Sequence, residues 1–185
     1  ASMMISLPDD IPALASVRVL SCPEGTLPDP SELFTGMRAS EIDILELIDP
    51  YGLAGRSSVG GLAKVIIAAA KTVGRVHEVR IHHLPDGSIS NADFEVQDAL
   101  HRLRAAITKE LQSVCPPPRV RHFPRRRKPD SDFHDRYVKA HFKEAGEPRL
   151  REINLSRGFD AITRKEFNIK IFVEPDRSID GALPI

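Results

Sequence analysis

Residues Glu41 to Ile48 constrain the fold more than any other stretch. Ile42, Ile44 and Glu46 alternate with Asp43, Leu45 and Leu47, and side chains on a strand point alternately to its two faces. A strand apolar on both faces is buried on both, the condition of an inner strand in an α/β sheet. It ends sharply at Asp49-Pro50-Tyr51-Gly52, where proline withdraws a ladder donor and glycine frees a turn.

The flanking patterns fit such a sheet. Residues 15–21 read as a first strand, and Pro28-Asp29-Pro30-Ser31 opens a short helix to about Arg38, capped by Asp29 or Ser31. Gly60-Gly61 precedes a helix in which Leu62, Val65, Ile66, Ala69 and Val73 recur at three- and four-residue spacing, closed by Gly74. Val76 to His82 is the next strand. A turn at Leu84-Pro85-Asp86-Gly87 leads to a long helix, capped by Ser90 or Asn91. Val96, Leu100, Leu103, Ile107, Leu111 and Val114 form its stripe, and Pro116-Pro117-Pro118 stops it.

Arg119 to Phe123 alternates as a short strand, and Pro124 to Asp132 is a basic loop. His134 to Ala140 and Leu150 to Leu155 are expected to pair across Lys143 to Pro148, and Phe167, Ile169, Ile171 and Val173 mark a last strand. Strands alternating with two helices, then strands joined without helices, predict an α/β sandwich with a mixed β-sheet flanked by helices. One domain over 1–185 is expected, with a core of about 15–173 and an irregular tail from Glu174.

Aromatic residues make up only 5% of the chain and Trp is absent, so aliphatic side chains must fill the core. Cys22 and Cys115 have neither metal-site nor disulfide-framework spacing and read as reduced thiols in a cytoplasmic protein. No apolar run approaches the ~20 residues that span a bilayer. The N-terminus does not read as a secretory signal, and Ala1-Ser2 before Met3 reads as an expression remnant.

The formal net charge of zero conceals an asymmetry. Residues 1–115 carry 10 Lys+Arg against 15 Asp+Glu, whereas residues 116–170 carry 15 against 8. The positive excess points to an anionic partner. Arg119, Arg121, Arg125, Arg126, Arg127 and Lys128 concentrate it without an intervening acid, and such a set can contact phosphates of nucleic acid or of an anionic lipid surface. Only Phe123 interleaves it with an aromatic ring, which gives base stacking little support.

The chemistry concentrates in Phe133-His134-Asp135-Arg136-Tyr137. On a strand, His134 and Arg136 share one face, and a histidine beside a fixed guanidinium can receive a phosphodiester. Asn154, Ser156 and Arg157 can line the same pocket if the two strands pair, with Gly158 permitting a tight turn. Asp49-Pro50-Tyr51 reads as a rigid strand exit. His82 and His83 point to opposite faces, and with His101 they show no metal-ligand spacing. Neither a metal nor a cofactor is predicted.

The order Asp49-Pro50-Tyr51, His134-Asp135-Arg136-Tyr137, then Leu155-Ser156-Arg157-Gly158-Phe159-Asp160 resembles the phospholipase D-like domain found at the C-terminus of MIT-domain proteins, and its stand-alone prokaryotic relatives. The resemblance covers roughly residues 40–173. It implies a phospholipase D-like fold, in a family whose eukaryotic members resemble membrane-lipid binders. Active members of the wider superfamily use His-x-Lys-x4-Asp, usually in two copies brought together in one chain or by a dimer. Here the three positions hold His134, Arg136 and His141, and the segment occurs once.

Three functions follow. The first is a phosphate-binding domain with a degenerate catalytic motif whose ligand is nucleic acid or another polyanion, in a prokaryotic defence or mobile-element setting. The second is a metal-independent phosphodiesterase or nuclease using His134 across a homodimer axis. The third is a module docking on anionic membranes or on a protein partner.

Overall fold

The computed structural model of the chain describes residues 16–84, 92–125 and 136–180. Its strands, in chain order, are Arg18–Cys22 (β1), Ile42–Ile48 (β2), Val76–His83 (β3), Arg119–Pro124 (β4), Tyr137–Glu144 (β5), Glu147–Leu155 (β6), Ile169–Val173 (β7) and Arg177–Ser178 (β8). Arg56–Val73 (α1) precedes β3, Ala92–Leu111 (α2) precedes β4, and 3-10 turns span Pro30–Leu33 and Phe159–Ile162. All described strands join one sheet in the order β1-β7-β6-β5-β2-β3-β4, with β8 beside β6.

The topology follows from the connections. A helix separates β2 from β3 and β3 from β4, and these pairs are parallel, as crossover connections require. From β5 to β6 and from β6 to β7 the chain passes without an α-helix, and these pairs are antiparallel. β2 therefore lies between a parallel and an antiparallel neighbour, and its second face, expected to be apolar, carries Glu46 between Ile44 and Ile48. The mixed α/β architecture expected from the sequence is the one observed.

One face of the sheet carries Leu45, Leu47, Val79, Ile81, Val138 and Ile153. These pack with Leu62, Val65 and Ile66 of α1, Leu100 and Leu103 of α2, and Phe34 and Phe159 of the 3-10 turns. Every described helical segment contributes to that one core. Alternation places Glu46, Arg80, His82, Arg121, Tyr137, Lys139 and Glu152 on the other face, and cross-strand register aligns them.

Three boundaries differ from the sequence expectations, each for a physical reason. The first helix begins at Arg56, so Gly60-Gly61 lie inside it rather than ahead of it. A Cβ on Gly61 would stand 1.8 Å from the Phe159 carbonyl oxygen, so the glycine admits the backbone of the loop that packs there. The β5–β6 hairpin runs through to Glu144 and Glu147, shortening the expected link to Ala145-Gly146. Both residues have positive φ, 50° and 83°, as in the primed turns that match hairpin twist. Finally, the tail expected to be irregular contributes β8, pairing Arg177 with Leu150 and Ser178 with Arg149.

Asp29 caps the first 3-10 turn, its side chain accepting from the Ser31 N–H. Cys22 and Cys115 are both free thiols. No described helix is long and apolar enough to cross a membrane. The caps expected at Ser90 or Asn91 lie outside the described residues.

Candidate anion site at the sheet rim

The carboxyl ends of β2, β3, β4 and β6 and the amino end of β5 reach the same rim of the sheet, where open α/β sheets bind ligands. Asp49 stands there directly after β2, 2% exposed. Its backbone carbonyl accepts the Gly52 N–H at 3.1 Å, closing the turn, and its Oδ1 accepts the Tyr51 N–H at 2.9 Å. Its Oδ2 accepts the Phe159 N–H at 3.0 Å. One carboxylate thus ties the exit of β2 to the loop after β6. Burial pushes the Asp49 carboxyl up, against the opposing pull of those two N–H groups and of the Arg136 charge.

Arg136 precedes β5 rather than standing within it, and its carbonyl accepts the Leu155 N–H at 2.8 Å. Its Nε lies 3.7 Å from Asp49 Oδ1, an ion pair beyond hydrogen-bond reach. That Nε is sealed from solvent and has no hydrogen-bond partner among the described residues, whereas the side chain as a whole is 30% exposed. Gly158 packs on the same spot. A Cβ there would stand 2.8 Å from Asp49 Oδ2, 2.9 Å from Asp160 Oδ1 and 3.5 Å from Arg136 Nε. Only glycine lets the backbone approach both carboxylates and the guanidinium this closely. The Asp-Pro-Tyr segment, Arg136 and the Gly-Phe-Asp segment therefore converge on one point.

The other expected site residues disperse. His134 lies outside the described residues, as do Arg126, Arg127 and Lys128. The hydroxyl of Ser156 accepts the Lys170 N–H at 3.1 Å, so it serves strand pairing. The exposed Arg157 stacks its guanidinium 4.4 Å from the centroid of Phe167, which Arg164 also approaches at 4.9 Å. Asn154 faces Tyr137 across β5 and β6. Arg119 is exposed, Arg121 pairs with Glu78 at 3.3 Å, and Arg125 donates from Nε to His82 Nδ1 at 3.1 Å.

A buried polar network on the helix-free face escaped the sequence reading. Glu46 Oε2 lies 2.7 Å from His141 Nε2 and its Oε1 lies 3.1 Å from His82 Nε2. Because Arg125 donates to His82 Nδ1, that nitrogen is the acceptor, and Nε2 carries the proton given to Glu46. Burial would raise the Glu46 carboxyl, but hydrogen bonds and charge from the two histidines hold it far below the carboxylate range. No sequence spacing signals this set, since Glu46 stands 36 positions from His82 and 95 from His141.

His83 turns the opposite way. Its Nδ1 lies 3.2 Å from the Leu84 carbonyl oxygen and its Nε2 lies 3.1 Å from His122 Nδ1. A carbonyl only accepts, so Nδ1 of His83 carries the hydrogen and its Nε2 accepts from His122. Burial pushes the pKa of both imidazoles down. At the far end of β2 and β3, Glu41, Asp43 and His77 offer ligand atoms within 4.8 Å of one another, though Glu41 and His77 already bond at 2.7 Å.

No family model and no curated protein matches the chain. The H432R mutant of yeast tyrosyl-DNA phosphodiesterase 1 aligns over 92% of this chain and 34% of its own, at 10% identity and a TM-score of 0.45. Polyphosphate kinase from Porphyromonas gingivalis aligns over 86% and 23%, at 16% identity and a TM-score of 0.43. The chain spans about a third of the length of the phosphodiesterase and 23% of the kinase. At these scores the likeness says nothing about what this chain does.

Proposed function

We propose that this chain is a phospholipase D-like, phosphate-binding domain, of the type found at the C-terminus of MIT-domain proteins, whose ligand is nucleic acid. Arg136 carries the reading. Its guanidinium is pinned at the rim by the buried Asp49 carboxylate at 3.7 Å, while its Nε has no hydrogen-bond partner among the described residues. With Nε sealed from solvent, a phosphate would be met by the exposed part of the guanidinium, the side chain as a whole being 30% exposed. Arg157, one position before Gly158, adds a second cation on the same loop.

The arrangement favours holding over turnover. A guanidinium is a permanent cation, so it clamps an anion without moving a proton. The basic stretch from Arg119 to Lys128 supplies the sequence-independent attraction that a polyanion requires.

The test is fluorescence anisotropy of a labelled oligonucleotide at several salt concentrations, for the native chain and Arg136→Ala. The reading expects salt-sensitive binding that Arg136→Ala weakens about tenfold, in line with the loss of one charge-assisted clamp. Equal affinity of the two proteins contradicts it, as does retention on phosphatidylserine vesicles without any binding of oligonucleotide.

A further inference from the structure

We propose that the helix-free face of the sheet is a track for single-stranded nucleic acid that runs up to the rim where the Arg136 cluster stands. Cross-strand register lines up Phe123 of β4, His82 of β3, Ile48 of β2, Tyr137 of β5 and Asn154 of β6 in one row along the rim. Phe123 and His82 stack, with centroids 5.3 Å apart and planes at 21°. From Phe123 to Tyr137 is three strand steps, about 14 Å, the reach of a short run of nucleotides. Tyr137 follows Arg136 directly, but the two side chains leave opposite faces, Arg136 with Asp49 on the helix-bearing side, so a nucleic-acid strand on the row reaches the clamp by passing over the rim.

The next row inward carries the charge. Arg121, Arg80, Glu46, Lys139 and Glu152 align there in register. Each carboxylate of this face is already shared between two bases. Glu78 pairs with Arg80 at 2.7 Å and Arg121 at 3.3 Å. Glu46 lies between His82 and His141. Glu152 pairs with Lys139 at 3.6 Å and Arg177 at 3.2 Å. Among these described side chains, four permanent cations and two imidazoles thus answer three acids.

Cations also stand over the rings. Arg121 lies 5.0 Å from the Phe123 centroid, and Lys139 lies 5.9 Å from that of Tyr137. Planar rings beside guanidinium and ammonium groups suit stacked bases with phosphates alongside. A rigid duplex keeps its bases stacked on one another and cannot use those rings. Beyond Tyr137 the row ends in an acidic cavity lined by Tyr137, Asn154, Glu152, Glu174, Asp176 and Arg177, where the carboxylates can accept from the edge of a single base and the strand's phosphates must stay outside.

This inference rests on the phosphate-binding reading and narrows its ligand. The experiment compares a labelled 12-mer single strand with its duplex, in anisotropy titrations of the native chain, Phe123→Leu, Tyr137→Leu and Arg136→Ala. The track predicts that the single strand binds more tightly than the duplex. It also predicts that Phe123→Leu or Tyr137→Leu costs the single strand about tenfold at unchanged thermal midpoint, with duplex affinity unmoved. Duplex binding at least as tight as single-strand binding, still dependent on Arg136, overturns the track and leaves the phosphate reading standing. Full single-strand affinity in both ring variants does the same. No binding of either oligonucleotide overturns both.

Discussion

The carboxylate of Asp49 accepts the backbone N–H of Phe159 at 3.0 Å across 110 positions of chain. The same carboxylate accepts the Tyr51 N–H, so one side chain fixes two loops relative to each other. Phe159 itself is fully buried, and an N–H left there without an acceptor costs about 1–3 kcal/mol. Asp49→Ala is accordingly expected to lower stability by roughly 2–4 kcal/mol. Urea unfolding checks this, with the midpoint falling and the slope unchanged.

Adjacent glycines in α1 should respond in opposite directions. A Cβ on Gly61 meets the Phe159 carbonyl oxygen at 1.8 Å, whereas one on Gly60 meets only Thr163 Cγ2 at an ordinary 3.5 Å. Gly60→Ala gains helix propensity of about 0.5–1 kcal/mol. Gly61→Ala forces the loop off the helix at a cost of about 3 kcal/mol or more. Thermal denaturation of the two variants separates them, with the midpoint rising for the first and falling for the second.

Stability should fall on mild acidification because of His83 and His122. Both are held neutral by burial, and each spends its one ring hydrogen within the Leu84–His83–His122 chain. A folded pKa below the unfolded value of about 6.5 gives stability that is present above that value. It is lost as pH drops towards the folded pKa. Glu46 acts in the same direction at lower pH, since its carboxyl is also held down in the fold. Unfolding free energy measured from pH 7.5 to 5 should therefore decline, and His83→Gln should flatten the decline.

What the sequence revealed depended on whether the signal was local. The period of Ile42 to Ile48 identified an inner strand, and Asp29 announced its own cap. Gly60-Gly61 misled because a glycine pair resembles a helix boundary, while its reason here is a loop about 100 positions away. Ala145 at φ 50° gave no turn signal, since alanine rarely adopts that region. In the site, Arg136 and Gly158 were singled out, and both stand at the rim cluster. Asp49 was read as a strand exit, because nothing local shows that its carboxylate caps a distant N–H. The Glu46, His82 and His141 set draws on three strands and leaves no pattern within any one of them.

The most direct test is a nuclear magnetic resonance titration of the isotope-labelled chain with the dinucleotide pTpT, following the Arg136 Nε–H and the backbone amides of Gly158 and Phe159. A phosphate clamp at the rim predicts that these three resonances shift together and saturate on one binding curve. Phosphate-dependent shifts confined to other residues, with these three unmoved, contradict it.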